Sequence, residues 1–248
     1  MTITIIGIDC AVDERNMGVA VGSYSDGNCV LLPLPDRVKA RSVSEMVCDW
    51  INCSTRTLLA LDAPLGWPDS LGAALSGHLA GVGIITSPDL LFRRATDRFV
   101  KARLDKQPLD VGADHIARTA KAALDLLSQV RGQTSLPLPL VWNGAFPERA
   151  GAIEVYPAGT LISYGLPSSG YKKKNETTVR KRILRGLKRY MSLGVDLEAA
   201  ENNSDVLDAI VSVLSGADFL RERTYAPEDF TQAAKEGWIW VKRKEETP

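Results

Sequence analysis

LLALDAPLGWP (residues 58–68) begins as a buried strand and then breaks off. An uninterrupted apolar run ends in an aspartate, Asp62, and Pro64, Gly66 and Pro68 follow at once. A run of that kind reads as a strand covered on both faces of a sheet. The carboxylate at its end is costly to desolvate unless something positive or hydrogen-bonding meets it. Pro64 and Gly66 stop the strand and leave space beside that carboxylate. The pattern recurs at the start of the chain, where ITIIGIDCA (3–11) carries Asp9 near its end with small residues behind it. In α/β sheets, ligands sit at the carboxyl ends of strands. Two acids placed there on neighbouring strands repel one another. A divalent cation is the direct remedy, and amides in the turn after each strand are the alternative.

Working outward, MGVAVGSYS (17–25) reads as a second strand, Asp26-Gly27 as a tight turn and CVLLPL (29–34) as the third strand. Arg41 to Ile51 reads as a helix, capped by Ser42 or Ser44, with Met46, Val47 and Trp50 at helical spacing. After LLALD, residues 64–88 are dominated by Pro, Gly and small side chains, and LLFRRATDRFVKARL (90–104) is basic and amphipathic. The segment from about 66 to 112 has too few large apolar residues for a core of its own. It is expected to be an insertion or lid on a single domain spanning residues 1–248. A helix is expected from about Ala113 to Val130, an irregular or edge segment at LPLPLVW (136–142), and a short strand at AIEVYPA (152–158), stopped by Pro157 and Gly159. Thr177–Met191 and Ser204–Leu220 are the last predicted helices. Hairpin-linked strands followed by strands alternating with helices predict a mixed α/β sheet.

Composition sets bounds on function. With 45% hydrophobic and 24% charged residues, the 248-residue chain is of soluble globular type. No apolar run approaches the roughly 20 residues of a membrane span. MTITIIGIDCA has neither a basic n-region nor a clean cleavage site, so a cytoplasmic location is expected. Cys10, Cys29, Cys48 and Cys53 form no C-x-x-C pair and there are only two histidines, which argues against structural zinc and for reduced, mostly buried thiols. A metal here would be oxygen-ligated, magnesium or manganese. The net charge is zero, yet nine Lys/Arg face the single acid Glu176 between Tyr171 and Met191, a local +8 balanced by −8 elsewhere.

Further acids have definite places. In NNSDVLDAIVSVLSGADFL (202–220), Asp205 and Asp208 lie three apart on one helix face. Asp208 borders the apolar stripe of Leu207, Ile210, Val211, Leu214 and Ala217 and points partly toward the sheet. Asp205, in the first turn, is equally at home with the helix dipole. Glu154 sits mid-strand among apolar residues, suited either to a catalytic role or to a buried pair with an arginine such as Arg94. Arg94 in turn either pairs with Asp97 or reaches a phosphate. Lys172, Lys173, Lys174, Arg180, Lys181, Arg182, Arg185, Lys188 and Arg189 form a basic element suited to a phosphate-bearing ligand, or to a solvated helix face. Of these, Lys172, Lys173 and Arg180, together with Arg94, are the candidate substrate-binding residues.

GIDCA (7–11), LDAPLG (61–66), R-x-x-D (94–97), EVYPA (154–158), DVLDA (205–209) and EGWIW (236–240) resemble the DUF429 family of predicted ribonuclease H-like nucleases, over residues 5 to 241. The strand order and acid placement resemble the Holliday-junction-resolvase branch of that fold. The resemblance implies three antiparallel strands followed by parallel ones, flanked by helices, with Asp9, Asp62, Asp205 and Asp208 as catalytic metal ligands. Two differences from the fold's usual pattern stand out. The fourth-strand acid is the shorter Asp62 where the resolvase branch usually has glutamate, and Glu45 is the one candidate for the acid that ribonucleases H supply from their first helix. The implied activity is hydrolysis of a phosphodiester by two magnesium or manganese ions, with nucleic acid as partner. Two other classes remain. A non-catalytic nucleic-acid-binding domain would show salt-dependent binding without turnover. An ATP-using enzyme of actin and sugar-kinase type usually needs a second domain and glycine-rich phosphate loops, for which GIDCAVDERNMG offers no match.

Overall fold

The computed structural model describes residues 1–35, 41–112, 114–173 and 175–244; Ala113 and Lys174 therefore lie outside the described residues. Five strands, β1 (Ile3–Asp9), β2 (Gly18–Ser25), β3 (Asn28–Leu31), β4 (Thr57–Asp62) and β5 (Ala150–Glu154), form one open sheet in the order β3-β2-β1-β4-β5. β1, β2 and β3 are antiparallel neighbours, and β4 and β5 continue from β1 in parallel. This is the mixed, ribonuclease H-like arrangement expected. The helices are α1 (Val43–Cys53), α2 (Asp69–Leu75), α3 (Pro88–Phe92), α4 (Ala95–Leu104), α5 (Asp114–Thr134), α6 (Pro157–Ser163), α7 (Thr177–Leu187), α8 (Glu198–Asn202), α9 (Ser204–Leu220) and α10 (Phe230–Glu236).

Local chemistry explains most boundaries. Asp26 (φ 51°) and Gly27 (φ 80°) take the left-handed conformations that a two-residue hairpin turn demands. Ser42 caps α1, accepting from the Glu45 amide while the Glu45 carboxylate accepts from the Ser42 amide. Glu45 is thus committed to its own helix end. One expected boundary needs correction, and two further features emerge. The third strand ends at Leu31, before Pro33. The basic stretch at 90–104 is split at Arg93 and Arg94 between α3 and α4. Pro157 does more than stop β5: it opens α6, where its missing amide is one that a helix start leaves unpaired anyway.

The alternation of side chains along the strands divides the core. Ile5, Leu58 and Ala60 face α9, against Leu207, Ile210, Leu214 and Ala217. Ile6, Ile8, Leu59 and Leu61 face α1 and α5, against Met46, Val47, Ile51, Leu126, Leu127 and Val130. Full burial of each such side chain contributes roughly 1.5–3 kcal/mol. Two glycines let α9 lie unusually close to the sheet. A methyl group on Gly7 would collide with the Ala209 carbonyl, and one on Gly18 with that of Asp205. The closeness matters because Asp208, next to Ala209, is carried to the end of β1.

Within the 66–112 segment, Val100 and Leu104 of α4 pack on Ile239 and Val241. The chain at 239–240 lies beside β5, the Trp240 amide donating to the Glu154 carbonyl at 3.0 Å. Leu79, Val82 and Ile85 stand exposed. Cys10, Cys29 and Cys48 are buried thiols and Cys53 is exposed, all four unpaired. Among the described residues, no helix is long and apolar enough to cross a membrane.

Candidate functional site

Strand register brings the first two acids together. Asp9 on β1 lies directly across from Asp62 on β4, at the carboxyl ends of two parallel strands. The close seat of α9 then delivers Asp208. Asp9, Asp62 and Asp208 each offer a carboxylate oxygen within 4.8 Å of the others. Asp9 and Asp62 are half-buried, whereas Asp208 is 0% exposed. A cavity of about 240 Å3 opens over the first two, lined also by Tyr156 and Lys172 and by the apolar Pro108, Leu109 and Ile116. A larger cavity of about 900 Å3 beside Arg15, Leu34 and Arg41 holds none of these acids.

The electrostatics follow from crowding. Burial, then Asp62, then Asp208 push the Asp9 carboxyl up to about 9. Burial and then Asp208 push Asp62 up to about 7, against the pull of Lys172. Burial likewise raises Asp208, against the pull of Lys172 and Tyr171. Among the described residues, two side-chain donors from one loop meet Asp208, while Asp62 is eased by a hydrogen bond shared with Asp9. The Tyr171 hydroxyl donates to Asp208 Oδ1 at 2.7 Å, and Lys172 Nζ lies 2.7 Å from Oδ2. Burial opposes charge on Lys172, but Asp208, Asp62 and Asp9 outweigh it and hold the ammonium protonated.

Asp205 stands outside this trio. It lies one turn earlier on α9, with its amide donating to the Asn203 side chain and a carboxylate oxygen accepting from Ser204, and it acts on Asp9 and Asp208 through its charge. Glu154 pairs across the sheet with Leu61, the residue before Asp62, but its carboxylate is engaged elsewhere, in the arginine pair rather than the catalytic role. Its Oε1 and Oε2 accept from Arg94 Nη2 (2.7 Å) and Nη1 (2.8 Å), and Oε2 also accepts from the Leu65 amide at 2.9 Å. Arg94 additionally grips both oxygens of Asp97. At 1% exposure, with acceptors on all sides, its guanidinium is a structural hub and not the phosphate contact expected. Glu236 completes the hub, accepting from the Asp69 and Ala95 amides.

Arg180 needs the same correction. It is buried, and Nη1 donates to the carbonyls of Tyr171 (2.6 Å) and Lys173 (2.9 Å) while Nε donates to that of Glu201. It braces the loop that holds Tyr171 and Lys172. Lys173 is exposed, as are Lys181, Arg182, Arg185, Lys188 and Arg189 of the basic element. Sequence reasoning missed Tyr171, which shows there only as an aromatic before a lysine run, and Glu236, visible only as part of EGWIW.

A family model described as "Protein of unknown function (DUF429)" matches residues 7–232. No curated protein and no solved structure matches the chain. The match runs through the sheet, the three clustered acids, Arg94 and the Tyr171 loop, and the chain belongs to the DUF429 family.

Proposed function

We propose that this chain is a divalent-cation-dependent phosphodiester hydrolase of ribonuclease H-like type, acting on nucleic acid. The observation that carries the proposal is the meeting of Asp9, Asp62 and Asp208 within 4.8 Å at one sheet edge, with the Lys172 ammonium against Asp208. Their donor set is all oxygen, the preference of magnesium and manganese. Asp9, Asp62 and Asp208 would hold the metal, with Asp205 adding negative charge nearby. When bound, it supplies Lewis-acid polarisation of a phosphoryl oxygen and stabilises charge on the leaving oxygen. The chain's own residues do the positioning. Strand register fixes Asp9 against Asp62, and the buried Tyr171 hydroxyl orients Asp208. Pro108, Leu109 and Ile116 give the cavity an apolar side facing the acids. The exposed cations of α7, Lys181, Arg182 and Arg185, favour a polyanionic partner whose affinity falls with salt.

The experiment is cleavage of single-stranded and duplex DNA and RNA by the purified protein in magnesium or manganese, with Asp9→Asn alongside. Asp9→Asn is expected to lower turnover by about a thousandfold or more, the scale of losing a charge contact made in the transition state. Undiminished metal-dependent cleavage by that variant would remove the proposal.

A further inference from the structure

The two groups that hold Asp208 are bound to the protein very differently. Tyr171 is 1% exposed, packed in the core among Ile183, Leu184 and Leu187, and its carbonyl is tied down by Arg180. Lys172 is its neighbour in sequence, but its side chain is 58% exposed, with only the ammonium reaching inward to Asp208 Oδ2. Gly170 (φ 81°) precedes the pair and sets the turn in which the Lys173 amide donates to its carbonyl. Asp208 therefore has one oxygen on a fixed donor and the other on a removable one. A long solvated stem can carry its ammonium away with no core side chain repacking.

We infer that Lys172 is a displaceable counter-ion: its ammonium holds the place of a divalent cation against Asp208 Oδ2 and gives that oxygen up when the cation binds. The inference rests on the metal reading proposed above. Without a cation, three clustered carboxylates need one positive charge nearby, and Lys172 is the side-chain cation the structure brings onto them. A divalent ion contends for the same oxygen with twice the charge. Tyr171 keeps Oδ1 throughout, so Asp208 holds its orientation while its partner changes. Removing the lysine charge then lowers the barrier to loading, the reverse of what loss of a structural contact does.

The test is the affinity for Mg2+ alone, by titration calorimetry, of wild type, Lys172→Met, Lys172→Arg and Asp62→Asn. Lys172→Met is expected to bind Mg2+ about tenfold more tightly than wild type, because a like charge close to the incoming ion is gone, with Lys172→Arg near wild type and Asp62→Asn silent. Equal or weaker binding by Lys172→Met, with wild type binding and Asp62→Asn silent, overturns the inference and leaves the metal reading in place. Absence of binding by both wild type and Lys172→Met overturns both. A second measurement needs no variant. The rate of reductive methylation of Lys172 in the wild-type protein, read by mass spectrometry, is expected to rise about fivefold on saturation with Mg2+ as the ammonium leaves its buried partner. An unchanged rate in protein that demonstrably holds Mg2+ overturns the inference.

Discussion

Two groups of charge lie side by side at the end of β4, and among the described residues each gathers three acids around a side-chain cation. In one, Arg94 pairs with Asp97 and Glu154 and donates to the Glu236 main-chain carbonyl, and all six carboxylate oxygens of these acids have a donor from the guanidinium or from the amides of Leu65, Asp69, Arg94 and Ala95. In the other, Asp9, Asp62 and Asp208 face one another, with Lys172 and Tyr171 both spent on Asp208. The same nominal charges thus give a finished structural clamp in one place and an unrelieved cluster in the other. Burial of acids alone does not mark a functional site; the marker is acids that the protein gathers and then leaves short of donors.

The contrast predicts mutations of opposite sign. Arg94→Met strips the cation from the completed group and leaves Asp97 and Glu154 buried without their partner, which costs about 3–5 kcal/mol of stability, measured by denaturant unfolding. A loss under 1 kcal/mol would mean that the amides alone satisfy those carboxylates. Gly7→Ala leaves the Arg94 group untouched but pushes the Ala209 carbonyl, and α9 with it, off β1. It is expected to cost about 1–3 kcal/mol and to weaken Mg2+ binding together with stability. Unaltered Mg2+ affinity in that variant would uncouple the helix seat from the acid cluster.

A smaller effect separates the groups by pH. Asp9 and Asp62 keep their protons in the folded state, up to about 9 and about 7, after the unfolded chain has released them near 3.8. The folded state then binds more protons, so stability falls as pH rises. Their stabilising contribution is complete below the unfolded value and is gone once pH has passed the folded ones. Urea unfolding of metal-free protein is expected to show this decline, and saturating Mg2+ to remove it, because the cation favours the ionised acids. A metal-free profile flat across that range would contradict the crowding argument.

Much of this was legible in the sequence where local signals agree. The helix expected at Ser204–Leu220 is α9 to the residue, because the Asn203 cap and the apolar period speak together. LLALD and IIGID end as strands at Asp62 and Asp9 because the small and proline residues behind them cannot continue. What stayed hidden depends on partners far along the chain. Glu154 meets Arg94 across 60 positions, and its own neighbours do not say whether an apolar strand hides a catalytic acid or a clamp. Arg180 looks like its solvent-facing companions until the carbonyls of Tyr171, Lys173 and Glu201 are seen to surround it. Nor does a run of lysines reveal which one turns inward. The helix α10 is short, and its sign is the Asp229 cap, which accepts from the Thr231 and Gln232 amides.

The most direct measurement is the melting temperature of Asp62→Asn beside wild type, with and without Mg2+. If the acids are gathered for a cation, the variant melts higher than wild type in chelator, by the several degrees that about 1 kcal/mol represents, and Mg2+ no longer raises it. A variant that melts lower in chelator and still gains from Mg2+ as wild type does would contradict that account.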